Sequence, residues 1–173
     1  MDRIVIIGPE STGKSTLSQG LAGHYSEPWV PEYAREYLAM LDRPYAFEDL
    51  LAIARGQIQL EDSLAKKAGK LLFCDTDLHV IHVWSTHKFG RTHPWITQKI
   101  KERQYDLYLL TDIDIPWQDD PLREHPDPEM RSYFMRLYEK VLVSTGVPWV
   151  KISGNPGQRL RAGIAAIENS NRH

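Results

Sequence analysis

The residues best placed to do chemistry lie between Gly8 and Ser15. They read G-P-E-S-T-G-K-S and satisfy the spacing G-x-x-x-x-G-K-[ST] at every fixed position. Glycines at 8 and 13 let the backbone turn tightly around a phosphate with no Cβ in the way. Successive backbone N–H groups then point inward, and the dipole of a following helix adds to them. Lys14 can reach the β- and γ-phosphates as a compact positive charge, and the Ser15 hydroxyl can ligate Mg²⁺. The segment therefore predicts a site for a magnesium-bound nucleoside triphosphate, ATP in the first instance, built from Gly8, Glu10, Ser11, Thr12, Gly13, Lys14, Ser15 and Thr16.

A second landmark is Leu71-Leu72-Phe73-Cys74-Asp75-Thr76-Asp77, an apolar run ending in acids. A buried strand that releases a carboxylate at its C-terminal end, beside the phosphate loop, is what a second magnesium-binding element needs. Asp75 could bind the metal with Ser15 or accept a proton from an attacking hydroxyl. Asp77 could share either role or face the substrate, and a strand-end aspartate also serves as a turn or helix cap. Arg123 is the candidate to neutralise charge on a transferring phosphoryl group. Gln57 and Glu61 sit one helical turn apart, with Gly56 beside them. A helix accepts that glycine, at about 1 kcal/mol relative to Ala, more readily where something must approach closely. Arg55 and Gln57 are thus expected at an acceptor pocket.

The elements that must hold these residues follow from hydrophobic spacing. Ile4-Val5-Ile6-Ile7 directly precedes the phosphate loop, and Leu17, Leu21 and Ala22 after it share one helix face. Leu71–Cys74, Leu107–Leu110 and Trp149–Ile152 read as further buried strands, with Trp29-Val30 as an edge or second strand. Helical stripes run from Phe47 to about Ala68, through Phe134, Leu137, Tyr138, Val141 and Leu142, and from Gln158 to Glu168. Strands alternating with helices imply a parallel sheet covered on both faces. The segment from Pro116 to Pro128, with prolines at 116, 121, 126 and 128, can form neither ladder nor helix interior. It is expected to be a lid, over about residues 115–128, beside the strand ending near Leu110. Residues 153–157, after the last strand, suit either a contact with a nucleotide base or a plain strand-to-helix turn.

Composition narrows the class. The chain has 173 residues, which suggests one domain over 1–173, and a net charge of −2 from 21 basic and 23 acidic residues. That balance gives no bulk attraction to nucleic acid or membrane. A single cysteine, Cys74, excludes an internal disulfide, and no run is apolar enough to span a bilayer. The expectation is a soluble cytoplasmic protein. The guanine-specifying N-K-x-D pattern is absent, and a large AAA-type motor would need more chain. Histidines 79, 82, 87 and 93 lack a ligand-spaced partner and are expected in the core or on the surface. Trp84, Phe89 and Trp95 are read as packing.

Several segments together resemble the ribosylnicotinamide kinase domain of the NadR family. They are G-P-E-S-T-G-K-S-T-L, P-E-Y-A-R-E-Y-L (Pro31–Leu38), A-R-G-Q (Ala54–Gln57), D-T-D (Asp75–Asp77) and P-W-Q-D-D-P-L-R (Pro116–Arg123). The resemblance implies a P-loop NTPase fold of the nucleoside and nucleotide kinase type. It further implies ATP-dependent phosphorylation of the 5′-hydroxyl of nicotinamide riboside to the mononucleotide, in NAD salvage. It places Glu32, Tyr33 and Arg35 in the acceptor site, Trp117 against the nicotinamide ring, and Asp119 and Asp120 on ribose hydroxyls or the pyridinium charge. A flat cation suits a Trp face with carboxylates nearby. No adenylyl transfer is implied, since His79-x-x-His82 is not the H-x-G-H of nucleotidyltransferases. Two alternatives stay open: a kinase for another nucleoside, and a nucleotide-binding regulatory module without turnover.

Overall fold

Ile4 to Ile7 are all fully buried because the strand they form is covered on both faces, and that strand organises everything else. In the computed structural model, which describes residues 1–170, twelve elements follow in order. They are β1 (Asp2–Ile7), α1 (Lys14–Tyr25), β2 (Trp29–Val30), α2 (Tyr33–Ala39), α3 (Phe47–Ala65), β3 (Leu71–Asp75), α4 (Leu78–Phe89), α5 (Pro94–Glu102), β4 (Leu107–Thr111), α6 (Pro128–Thr145), β5 (Trp149–Ile152) and α7 (Pro156–Ser170).

The five strands form one parallel sheet in the order β2-β3-β1-β4-β5. The period-2 alternation of the strands sorts their side chains between two cores. Ile4, Ile6, Phe73, Leu107 and Leu109 pack against α1 and α7. Val5, Ile7, Leu72, Cys74, Tyr108 and Leu110 pack against the other face, with Val83 of α4 and Phe134, Tyr138 and Leu142 of α6. A third cluster, away from the sheet, joins α2, α3, α4 and α5 through Ala34, Leu50, Ile53, Leu78, Ile81 and Ile96.

The chain leaves β1 for β3 on one side and β4 on the other, so the C-terminal end of β1 is a topological switch point, where a crevice opens. The expected strands appear within two residues of their predicted ends, and α3 ends at Ala65, three residues short of the expected limit. Three helices were not legible. In α4 (LHVIHVWSTHKF) apolar residues occur on several sides because sheet and satellite helices both contact it, so no single stripe forms. α2 and α5 span only seven and nine residues, too short for a repeating stripe. Residues 112–127 carry neither helix nor strand, and the segment stops where Asp127 caps α6, its carboxylate accepting the N–H of Glu129 and Met130 at 2.7 and 3.1 Å.

Candidate active site

The phosphate loop is held from below by groups far away in sequence. Gly8 lies against the end of β4: a Cβ there would fall 2.8 Å from the Thr111 carbonyl oxygen and overlap the Thr111 hydroxyl. Buried Thr12 donates to the Pro9 carbonyl and meets the Thr111 hydroxyl, both at 2.7 Å. Ser11 has φ +56°, which costs a non-glycine residue on the order of 1–2 kcal/mol.

Two buried arginines stabilise that geometry. Arg131 of α6 donates to the Ser11 carbonyl at 3.2 Å, and Arg159 of α7 donates to the Thr12 carbonyl at 2.5 Å. Arg159 is itself fixed by the carbonyls of Gly154 (2.7 Å) and Asp112 (3.0 Å) and by the Asp114 carboxylate. In a trans peptide the C=O and the next N–H point opposite ways. Pulling these two carbonyls down therefore turns the N–H groups of Thr12 and Gly13 up toward the crevice. The same guanidinium charges favour an anion above them.

The reactive groups meet at the loop's far edge. The Lys14 ammonium donates to the carbonyls of Gly8 (3.0 Å) and Pro9 (2.8 Å), and burial lowers its pKa. The Ser15 hydroxyl is bonded to Asp75 Oδ2 at the end of β3. Asp75 is almost fully buried, yet its Oδ1 has no hydrogen-bond partner. Burial, and then the charge of Glu32, push the Asp75 carboxyl up to about 6, against the pull of Lys14. A buried carboxylate oxygen without a partner, beside a serine hydroxyl on a phosphate loop, has the oxygen chemistry a hard divalent cation takes. The residues present fit Mg²⁺.

A cleft of about 540 Å³ extends from this point in two directions. Toward α7 it is lined by Thr16, Gly20, Pro156, Gly157 and Leu160, where a base attached to phosphates on the loop would fall. In the other direction it is walled by Leu38 of α2, Val80 and Trp84 of α4, and Phe134 and Tyr138 of α6. The indole N–H of Trp84 is fixed on the Tyr45 hydroxyl at 2.6 Å. Glu32 and Arg35 lie at the mouth, with Arg35 paired to Asp120 at 3.0 Å, and Leu122 and Arg123 reach in from the proline-rich segment. A second cavity of about 310 Å³ is lined by Asp75 with Trp29, Tyr33 and Glu36, and shares Ser15, Glu32 and Arg35 with the first.

The structure thus brings together the phosphate loop, Lys14, Ser15, Asp75, Glu32, Arg35, Asp120 and Arg123. Several expected residues lie elsewhere. Asp77 is turned into the protein: its oxygens accept the His79 N–H (2.9 Å) and the Tyr108 hydroxyl (2.9 Å) and meet His79 Nδ1 (2.7 Å), which makes it the cap of α4. Gln57 is buried, accepting the Tyr33 N–H at 2.8 Å and donating to the Pro31 carbonyl at 3.3 Å, so it positions the 31–33 segment from behind. Tyr33 explains Gly56, because its ring occupies the space a Cβ would take there. Arg55 lies over Trp95 at 5.4 Å, and Glu61 is paired with Arg103 at 2.8 Å, both outside the cleft. Trp117 does not line the cleft: the guanidiniums of Arg123 and Arg131 each lie 5.9 Å from its ring, and its N–H donates to Asp119 at 2.9 Å. Conversely, Trp84, Phe134, Tyr138, Arg131 and Arg159 reach the cleft although sequence spacing gave the aromatics only as packing and the arginines not at all. No local pattern marks them, since each is recruited by a contact across the fold.

The sequence pattern of the AAA domain family AAA_28 matches residues 3–159. The chain belongs to this family. Within it, the AAA domain chain is 31% identical over 153 residues to the trifunctional NAD biosynthesis/regulator protein NadR of Escherichia coli (strain K12). That stretch is 86% of this chain and 37% of the relative, so the chain spans well under half the length of the relative it matches. A crystal structure of NadR protein in complex with NR superposes with a TM-score of 0.80 and 24% identity, over 98% of this chain and 49% of that one. A second NadR structure, in complex with NAD and AMP-PNP, gives 0.70 and 23%, over 99% and 50%. The resemblance to NadR read from the residues is thereby shown, and these solved chains share the fold.

Proposed function

We propose that the chain is an ATP-dependent kinase that phosphorylates the 5′-hydroxyl of nicotinamide riboside, giving nicotinamide mononucleotide. The observation that carries this reading is Asp75: buried, bonded through one oxygen to Ser15 of the phosphate loop, and unpartnered at the other. It lines the smaller cavity, which shares Ser15, Glu32 and Arg35 with the aromatic-walled cleft. A pure nucleotide sensor could lose the proton-accepting role of such an acid, though it would still use a carboxylate to hold Mg²⁺. Its raised pKa, about 6, suits a base that works near neutrality. Further support comes from the likeness to NadR, one solved example of which holds NR.

In this reading the loop amides and Lys14 bind the triphosphate, with the base toward Pro156 and Gly157. Ser15 and Asp75 would hold Mg²⁺, which when bound screens the negative charge of the phosphates. The acceptor's hydroxyl oxygen forms a bond to the γ-phosphorus as the bond to the β–γ bridging oxygen breaks. ADP leaves with that electron pair, and the hydroxyl proton passes to Asp75. Arg123 neutralises charge on the group in flight, and the segment over the cleft keeps water away. Trp84, Phe134 and Tyr138 offer faces to a flat cation, and Glu32 supplies an opposite charge nearby. Asp119 stays outside with Trp117, and Asp120 acts through Arg35.

A second reading, a kinase for a neutral nucleoside, gains from the position of Trp117, whose ring already faces two guanidiniums. An ADP-release assay with Mg-ATP and nicotinamide riboside, deoxynucleosides, ribonucleosides or water decides between them. Turnover confined to nicotinamide riboside, with the mononucleotide identified by mass, is expected. Turnover with another nucleoside would transfer the mechanism to that acceptor. No turnover with any, alongside tight ATP binding, would leave a regulatory module.

A further inference from the structure

The phosphate loop carries an acid that phosphate binding does not use. A carboxylate beside bound phosphates is unfavourable unless something offsets its charge, and Lys14 lies close enough to feel the charge of Glu10. The offset comes from the segment over the cleft. Glu10 accepts the backbone N–H of Glu124 at 3.2 and 3.1 Å through its two oxygens, and that of His125 at 3.1 Å. Next to it, the Ser11 hydroxyl accepts the N–H of Gln118 at 2.8 Å. Two adjacent loop residues therefore hold both ends of the 118–125 stretch. The same stretch grips the acceptor helices: Asp120 pairs with Arg35 of α2 at 3.0 Å, and Glu124 pairs with Lys88 of α4 at 3.5 Å.

We propose that Glu10 is a positioning residue, a latch that seats the lid on the nucleotide loop and so couples closure to both halves of the cleft. Hydrogen bonds to an ionised acceptor are roughly twice as strong as neutral ones, and here they run to backbone amides that no neighbouring turn satisfies. Lifting the lid strips those amides of their partner and exposes the Glu10 charge to the triphosphate. A bound triphosphate therefore disfavours the open lid, and by linkage the closed lid favours the triphosphate. At the opposite edge the Arg35–Asp120 pair lets the acceptor helix bias the same closure.

The peptide bond from Arg123 to Glu124, whose N–H is latched, is a trypsin site, so the latch can be read without any activity. In the wild-type chain, hydrogen exchange at the amides of Glu124 and His125 is expected to be slowed, and free exchange at both overturns the proposal whatever the variants do. In Glu10→Gln, cleavage after Arg123 should quicken by about tenfold, the factor expected for losing one charge-assisted bond. Glu10→Asp should fall between. An unchanged cleavage rate in a folded Glu10→Gln protein sinks the idea. The kinetic arm rests on the kinase reading above. Glu10→Gln should lower kcat by about tenfold with less than about a twofold change in KM for ATP. It should also raise the share of ATP lost to water, where a water oxygen takes the γ-phosphoryl group and ADP and phosphate form. A fall in kcat with no rise in that share overturns the coupling. A wild-type chain silent with every acceptor, but with faster cleavage in Glu10→Gln, refutes the kinase reading and supports the latch.

Discussion

The two halves of the cleft are built on different principles. The nucleotide half is centred on a continuous stretch of eight residues whose backbone forms the phosphate cradle, with Lys14, Ser15 and Asp75 at its edge and Pro156, Gly157 and Leu160 lining the cleft beyond it. The acceptor half has no continuous stretch at all: Leu38, Trp84, Phe134 and Tyr138 arrive from three helices, and Arg123 from an irregular segment. Backbone sites are specified by where glycines fall. Side-chain sites are specified by packing between elements. The first half should therefore fail all at once when a key residue is lost, and the second should degrade one contact at a time.

The largest effects belong to the nucleotide half. Lys14→Ala should abolish measurable ATP binding in a calorimetric titration. Asp75→Asn should lower kcat by on the order of a hundredfold or more while the Tm holds or rises, because a buried charge without a full set of partners is costly to keep. An Asp75→Asn enzyme with near-normal kcat would remove it as the base. In the wild type, kcat/KM should fall as pH drops through about 6, where the raised carboxyl takes up its proton. A metal on the same carboxylate would move that midpoint lower, and Asp75→Asn should flatten the profile.

Next comes Arg159→Ala, which leaves every motif residue in place. If the buried guanidinium turns the loop amides upward, its loss should raise KM for ATP by roughly tenfold and leave KM for the acceptor within about twofold. An equal rise in both would mean that Arg159 supports the whole cleft and that the two halves are less separate than their construction implies.

The same contrast explains what the sequence could convey. The phosphate loop and Asp75 were legible because their chemistry demands fixed types at fixed spacing. Asp77, two residues on from Asp75, looks equivalent in the sequence, yet the chain turns at Thr76, φ +75°, and sends its carboxylate to Tyr108 and His79. A capping role was among the readings open from sequence, but the tyrosine that helps to fix it lies on another strand and leaves no local signal. Trp84 lines the cleft and Trp117 does not, for a related reason. The family resemblance puts Trp117 at the acceptor, and Trp84 reads as packing. Which of them faces a cavity depends on how α4 and α6 cross. Arg131 and Arg159 carry no signal beyond their charge, although both are buried against the loop.

Trp84 and Trp117 give a direct test of the acceptor half. Trp84→Ala should raise KM for nicotinamide riboside by about tenfold, as expected for a lost aromatic face against a desolvated cation, with little change for ATP. Trp117→Ala should change that KM by no more than about threefold. The reverse order would restore Trp117 to the acceptor site and require the lid to carry its ring inward when the acceptor binds.

The smallest effect on turnover, and the clearest on stability, should come from His79. It supports Asp77, which caps the helix that carries Val80 and Trp84. Burial pushes the Asp77 carboxyl up, but the His79 charge and hydrogen bonds outweigh it, and the net shift is down. Burial pushes His79 down, and Asp77 more than reverses that, so its net shift is up from 6.5. The lowered acid contributes stability above its ordinary value near 3.8 and loses it as pH falls through its folded value. The raised histidine contributes fully below 6.5 and loses that contribution as pH climbs through its folded value. The pair is therefore worth most between these limits. His79→Ala should lower Tm by on the order of 5–10 °C at about pH 5.5 and by clearly less at about pH 9. Because α4 belongs to the acceptor half, the same variant should raise KM for the acceptor modestly and leave ATP binding unchanged. A Tm loss that does not vary with pH would reduce His79 to a packing residue. A loss of ATP affinity would show that the floor of the cleft, unlike its walls, is shared by both halves.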